Sequence, residues 1–198
     1  MPAETFNFKY LGNIDTSSIR EKIENAPWKN KWSTLRQSFK THKHCDVIPL
    51  RWNRNFDDAA HVKAEKTKFY DEFYDKKFFE ELKLIMKNSF GEGYFIRILF
   101  VNLCAKEKIR PHTDSGESLI KNHRVHIPIK SNPKVEFTIY TKILQKKISG
   151  EKIILTKPET KFMKEGEIWE INNVKEHSVA NNSEQNRIHL IVDWHSSV

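Results

Sequence analysis

In two stretches of the first ninety residues, apolar positions recur at helical spacing. Ile14, Ile19 and Ile23 stand among charged residues, which predicts a short amphipathic helix over Asp15 to Asn25, with Asp15 and Thr16 as capping candidates and an end before Pro27. Between Asp57 and Asn88, Phe69, Phe73, Phe78, Phe79, Leu82, Ile85 and Met86 lie three and four apart among lysines and acids, predicting one or two helices. That aromatic stripe suits a cofactor or partner surface, but it more simply covers a sheet. The intervening Trp28 to Asn55 mixes Trp28, Trp32, Phe39 and Trp52 with basic residues and two histidines, and reads as short strands and loops.

Beyond Gly91 and Gly93 the period changes. Tyr94 to Cys104, His123 to Lys130, Val135 to Ile143, Glu151 to Thr156, Gly166 to Ile171 and Arg187 to Trp194 are short β-prone runs. Turn signals at Asp114 to Gly116, Ser131 to Pro133, Ser149-Gly150, Asn172-Asn173 and Asn181-Asn182 separate them. Strands with no helical pattern between them predict a sandwich or a double-sheet jelly roll. With helices first and strands afterwards, the whole reads as α+β. A length of 198 residues fits one domain, with residues 1–90 mostly helical and 91–198 forming the β core.

Composition narrows the function classes. Cys45 and Cys104 are too few for a disulfide framework. No stretch approaches the ~20 apolar residues of a membrane span, and Met1 to Tyr10 lacks a basic start followed by an apolar run. A cytoplasmic location is therefore the expectation. The net charge of +8 favours anionic partners, whether nucleic acid, a membrane surface or an acidic small molecule, without choosing among them.

The candidate chemistry begins at Arg110-Pro111-His112-Thr113-Asp114. A histidine and an aspartate two apart at a strand end point to the same side and offer a metal one nitrogen and one oxygen. By itself a His-x-Asp is a weak signal in a chain with nine histidines. After the strand-like Glu167 to Ile171 and a turn comes His177, a second imidazole that would complete two histidines and one carboxylate. That set leaves positions on iron(II) open for an oxidant and a co-substrate. The competing reading of His177 is a surface histidine. Arg187 opens a strand whose Ile188, Leu190 and Val192 alternate with the other face. Pointing inward, it is either one half of a structural salt bridge or a fork for a dicarboxylate.

These segments, with His123-Arg124-Val125-His126-Ile127-Pro128-Ile129, Gly166 to Trp169, His177-Ser178-Val179 and Arg187 to Trp194, together resemble the aspartyl/asparaginyl β-hydroxylase family in order and spacing. That family consists of iron(II)- and 2-oxoglutarate-dependent dioxygenases on a double-stranded β-helix, a cupin-like jelly roll, and includes the similar bacterial proline cis-4-hydroxylases. The resemblance spans about Tyr94 to Trp194. It implies that His112, Asp114 and His177 ligate iron, that Arg187 holds the distal carboxylate of 2-oxoglutarate, and that Arg124 and His126 also face the co-substrate. It implies hydroxylation by oxygen, with 2-oxoglutarate decarboxylated to succinate and ascorbate as reductant, and N-terminal helices packed on one sheet. The substrate it implies is an amino acid, free or as a peptidyl Asp or Asn side chain. Asp114 is retained here, which favours hydroxylation over halogenation. The stretch from Ser131 to Glu165 is longer than its counterpart in the proline hydroxylases, so proline is not simply transferable as substrate.

Arg97, Trp52 and Arg51 are possible substrate contacts, though they more simply read as a strand-face charge, a core tryptophan and a solvated arginine respectively. Two other readings compete. One is a basic jelly-roll module that binds nucleic acid around a vestigial metal site, although the lysines are scattered and no RNA-recognition motif is present. The other is a metal-binding cupin of different chemistry, in which Arg187 holds no dicarboxylate.

Overall fold

The computed structural model describes residues 6–52, 64–114, 117–144 and 154–197. Two antiparallel sheets face each other. The larger runs, in spatial order, β1 (Phe8–Asn13), β9 (Glu167–Ile171), β6 (His123–Lys130), β11 (Arg187–Ser196), β4 (Gly93–Leu103), β2 (Cys45–Trp52) and β3 (Glu65–Lys66). The smaller runs β5 (Lys108–His112), β10 (Glu176–Asn181), β7 (Val135–Leu144) and β8 (Ile154–Lys161).

The two-residue alternation of β11, at the centre of the larger sheet, organises the molecule. Ile188, Leu190, Val192 and Trp194 point outward beneath the helices, into one apolar cluster with Ile23, Phe79, Leu82 and Met86. Phe100 and Leu190 are fully buried there, each contributing about 1.5–3 kcal/mol relative to exposure. Ile191 points the other way, into a second cluster with Leu99, Phe137, Ile139 and Val179 between the sheets. By the same alternation Arg187, His189 and Asp193 point between the sheets, so that face of the central strand is polar at three positions and apolar at one.

Helices α1 (Ser17–Glu24) and α4 (Lys76–Phe90), with the single turn α3 (Tyr70–Phe73), supply the outer cover. The α4 helix begins where the Asp75 carboxylate accepts the Phe78 N–H and ends at Gly91, whose φ of 86° suits glycine. The aromatic stripe on this segment is thus core. A further short helix, α5, spans Glu117–Ile120.

The N-terminal half differs from its sequence reading in two ways. Besides its helices it contributes β1, β2 and β3 to the larger sheet. Within Trp28 to Asn55 the expected strands and loops include a helix, α2 (Lys31–Gln37), started by the Asn30 side chain, which accepts N–H bonds from Trp32 and Ser33. A 3₁₀ turn at Lys40–His42 follows. Part of the Asp57 to Asn88 reading, and the tip of the Ser131 to Glu165 stretch, lie outside the described residues. Among the described residues no helix is long and apolar enough to cross a membrane.

Candidate active site

His112 ends β5 and pairs directly with His177 on β10. Both rings donate backward through Nδ1 to a carbonyl two residues earlier: His112 to Arg110 O at 2.8 Å and His177 to Lys175 O at 2.9 Å. Each Nε2 is thereby left with its lone pair, the tautomer a metal ligand needs. Asp114 follows β5, its backbone N–H held by Asn173 O. Its Oδ1 lies 3.9 Å from His112 Nε2 and its Oδ2 3.9 Å from His177 Nε2. The three side chains thus form a group of potential metal ligands whose donor atoms all lie within 4.8 Å of one another. One imidazole comes from each of two neighbouring strands, and the carboxylate comes from the turn beyond one of them.

A row of charges on the larger sheet fixes that carboxylate. Asp193 on β11 is flanked by Arg124 on β6 and Arg97 on β4. Arg124 grips Asp193 with two parallel bonds, Nε and Nη2 each at 2.8 Å, and reaches Asp114 Oδ2 with Nη1 at 2.5 Å. Burial alone would raise the Asp114 carboxyl, but the Arg124 guanidinium, together with His177, His112 and Arg36, outweighs it and holds the group well below the usual carboxylate range. Asp114 is therefore an anion at every physiological pH. The family resemblance sets Arg124 toward the co-substrate; in the structure its Nε, Nη1 and Nη2 are all engaged by these two carboxylates, because the cross-strand register puts Asp193 directly opposite.

Arg187 is different. It is 1% exposed, its Nη2 hydrogen-bonds His189 Nδ1 at 2.6 Å, and its Nε has no partner. Among the described residues no carboxylate pairs with it. Burial lowers its pKa to about 9, which leaves it cationic at neutral pH. Close by, His126 Nδ1 and His189 Nε2 are also buried without partners, and the two rings stand 5.9 Å apart. Arg187, His126, His177, Asp114 and Arg36 line a narrow inner cavity of about 30 Å³. An outer cavity of about 300 Å³ adjoins it and shares Arg36, His42, His112, Asp114, Arg124 and Ile191 as wall. Three buried polar atoms without partners, one of them on a guanidinium that no described carboxylate pairs, are costly unless something completes them.

Of the possible substrate contacts, Arg97 and Trp52 line the outer cavity, with the guanidinium 5.4 Å from the tryptophan ring centre. Arg51 does not line it, and donates instead to Ala64 O. Sequence reasoning missed Arg36 and His42, which reach the site from α2 and the turn after it. His42 stacks edge-on to His112 at 5.2 Å.

Burial lowers the pKa of His177 to about 4 and takes His126 and His189 well below their ordinary 6.5. Between these values and 6.5 the unfolded chain binds protons that the folded chain refuses, so stability present at neutral pH is lost on acidification from about 6.5 toward 4. The paired Asp114 adds to the loss only below about pH 4. The urea midpoint of metal-free protein is expected to fall steadily between pH 7 and pH 4.5; a flat midpoint over that range would contradict the burial of these rings.

The family model described as aspartyl/asparaginyl β-hydroxylase matches residues 29–196. No curated protein matches the chain by sequence. Among solved structures, the chain is similar to an oxidoreductase of the 2OG-Fe(II) oxygenase family from Burkholderia pseudomallei, at 11% identity and a TM-score of 0.55, covering 92% of this chain and 90% of that one. It is also similar to the non-heme monooxygenase ThoJ, at 9% identity and a TM-score of 0.52 over 97% of this chain and 75% of the other. AviO1 from Streptomyces viridochromogenes Tue57 aligns at 9% identity with a TM-score of 0.50, over 97% and 90% of the respective chains. At these identities the structural likenesses establish the fold, a jelly roll.

Proposed function

The chain belongs to the aspartyl/asparaginyl β-hydroxylase family of 2-oxoglutarate-dependent hydroxylases, and from that premise we propose that His112, Asp114 and His177 hold iron(II) while Arg187 binds the far carboxylate of 2-oxoglutarate. The reaction we assign is hydroxylation of an amino acid, free or within a larger molecule. When bound, iron with 2-oxoglutarate and oxygen supplies the oxidising chemistry, and 2-oxoglutarate leaves as succinate and carbon dioxide. The observation that carries the reading is the buried, cationic Arg187 without a carboxylate partner, on the cavity that the three candidate ligands also line. A dicarboxylate would satisfy it through the guanidinium fork.

The protein's own residues do the remaining work. Arg110 O and Lys175 O fix the imidazole tautomers so that both Nε2 atoms face Asp114. Arg124 holds the Asp114 carboxylate in place and keeps it ionised. Ile191 and Phe137 dry the walls around the inner cavity, which strengthens every charge interaction inside it.

Arg124→Gln is expected to lower iron(II) affinity by about 10- to 100-fold, since it removes the group that orients a ligand. Competition with a chromogenic chelator measures this; an unchanged affinity would show that Asp114 needs no such support. The proposed activity is tested by succinate formation from 2-oxoglutarate with iron(II), ascorbate and oxygen, across free amino acids, their N-acyl forms and Asp- or Asn-containing peptides. Stimulation by a panel member that disappears in His112→Ala supports the reading. Absence of both turnover and 2-oxoglutarate binding would overturn it.

A further inference from the structure

The outer cavity has its own unbalanced charge. Its apolar lining includes the rings of Trp32, Phe39 and Trp52, and into it turn Arg36, Arg97 and Arg124. Two of these cations are accounted for: Arg124 by Asp193 and Asp114, and Arg97 by Asp193 at 3.9 Å and the face of Trp52. Arg36 is not. Its Nε is buried without a hydrogen-bond partner, and no carboxylate among the described residues forms an ion pair with its guanidinium.

The position of Arg36 is rigidly set. It sits in the last turn of α2, which Asn30 caps at the start. Gln37, the next residue, bonds Cys45 O at 3.2 Å and Asp46 Oδ1 at 2.9 Å, while Ser33 Oγ bonds Trp28 O and accepts the Val47 N–H. These bonds fasten the helix to β2 on both sides of Arg36. The helix so fastened carries the Arg36 guanidinium to the wall shared by the two cavities.

The lining is as telling for what it lacks. Among the described residues facing the outer cavity the one carboxylate is Asp114, already engaged by Arg124 and placed in the candidate metal set. Among the described lining residues a ligand ammonium would meet guanidinium groups and aromatic rings but no free carboxylate. A zwitterionic amino acid would thus have its carboxylate satisfied and its ammonium opposed by the cationic lining. At about 300 Å³ the space is at the small end for ligand sites.

We propose that the outer cavity binds a small amino-acid derivative which keeps its carboxylate but carries no free ammonium, such as an N-acyl amino acid, with Arg36 gripping the carboxylate and the apolar body lying against Trp32 and Trp52. The inference rests on the function proposed above and narrows its substrate class. The carboxylate anchored at the shared wall leaves the body of the molecule beside His112 and Asp114, where a reacting C–H must be.

The test is calorimetric binding to protein loaded with manganese(II) and 2-oxoglutarate, in which no turnover occurs without iron. The probes are N-acetyl-L-proline and N-acetyl-L-leucine, each compared with the free amino acid and with its N-acetyl amide, plus a blocked Asp-containing hexapeptide. Binding of 2-oxoglutarate alone is measured first. Its failure in wild-type protein would sink the dioxygenase reading, whereas its success with no carboxylate probe bound up to 10 mM, ~2.7 kcal/mol of affinity, would sink this inference alone. The expected result is at least tenfold tighter binding of an N-acetyl acid than of its free amino acid or its amide. Arg36→Gln should lose that binding at least tenfold while leaving 2-oxoglutarate affinity within about threefold, and Arg36→Lys should recover part of it. Equal or tighter binding of the free amino acid, the amide or the hexapeptide would overturn the proposal. So would a drop in 2-oxoglutarate affinity in Arg36→Gln, which would make Arg36 a co-substrate residue.

Discussion

Asp114→Ala is expected to reduce substrate-stimulated succinate formation by at least ~1000-fold, equivalent to about 4 kcal/mol of lost transition-state stabilisation. Two effects combine. The candidate metal set loses its one anion, leaving two neutral imidazoles that hold a divalent ion weakly. At the same time Arg124 Nη1, which now bonds Asp114, becomes an unpaired cationic donor facing the place where the metal would sit. The second effect makes the loss larger than removal of a ligand alone. The double variant Asp114→Ala, Arg124→Gln should consequently bind iron(II) better than Asp114→Ala by itself. Full activity in Asp114→Ala would end the assignment of this carboxylate to the metal.

The second large effect concerns Arg187. Arg187→Met is expected to weaken 2-oxoglutarate binding by about 10- to 100-fold, the worth of hydrogen bonds between charged groups in a buried site. It should do so without destabilising the ligand-free protein. Arg187 is fully enclosed, has no carboxylate partner, and gives up a single hydrogen bond to His189 when replaced. A buried cation without a counter-ion is a cost that an apolar side chain of similar length removes, so the melting temperature without 2-oxoglutarate should hold or rise. Addition of 2-oxoglutarate should then raise the melting temperature of wild-type protein much more than that of the variant. A structural salt bridge would give the opposite pattern, with a destabilised variant and an unchanged response to ligand.

The parts of this molecule legible in its sequence are those governed by short-range periodicity. The alternation Ile188, Leu190, Val192 announced a strand with two different faces, and β4, β6, β7 and β9 were legible for similar reasons. The α1 and α4 helices followed from apolar residues at helical spacing. By contrast, α2 is seven residues long, buries one residue outright and depends on Asn30 and on contacts with β2, so its sequence carries little periodic signal. The edge strand β1 has a mixed burial pattern and a register shift between Tyr10 and Gly12, which blurs alternation.

The same division runs through the site. His112, Asp114 and His177 were visible as residue types in a sensible order, and the structure gathers them because β5 and β10 are neighbours. What Arg124 touches was not visible, since it depends on the register that sets Asp193 opposite Arg124 across two strands. Arg36 and His42 were invisible for a further reason: they come from a helix and a turn in the other half of the chain, and only tertiary packing carries them to His112.

The central claim is that one metal, held by His112, Asp114 and His177, and one dicarboxylate, held by Arg187, occupy the same site. Anaerobic titration of iron(II)-loaded protein with 2-oxoglutarate tests it most directly, because a 2-keto acid chelated to iron(II) gives a visible charge-transfer absorption that neither component gives alone. The expected result is a saturable band with one equivalent of iron, absent in His112→Ala and requiring about 10- to 100-fold more 2-oxoglutarate in Arg187→Met. A wild-type protein that binds iron yet develops no band, or a band untouched by both substitutions, would contradict the account.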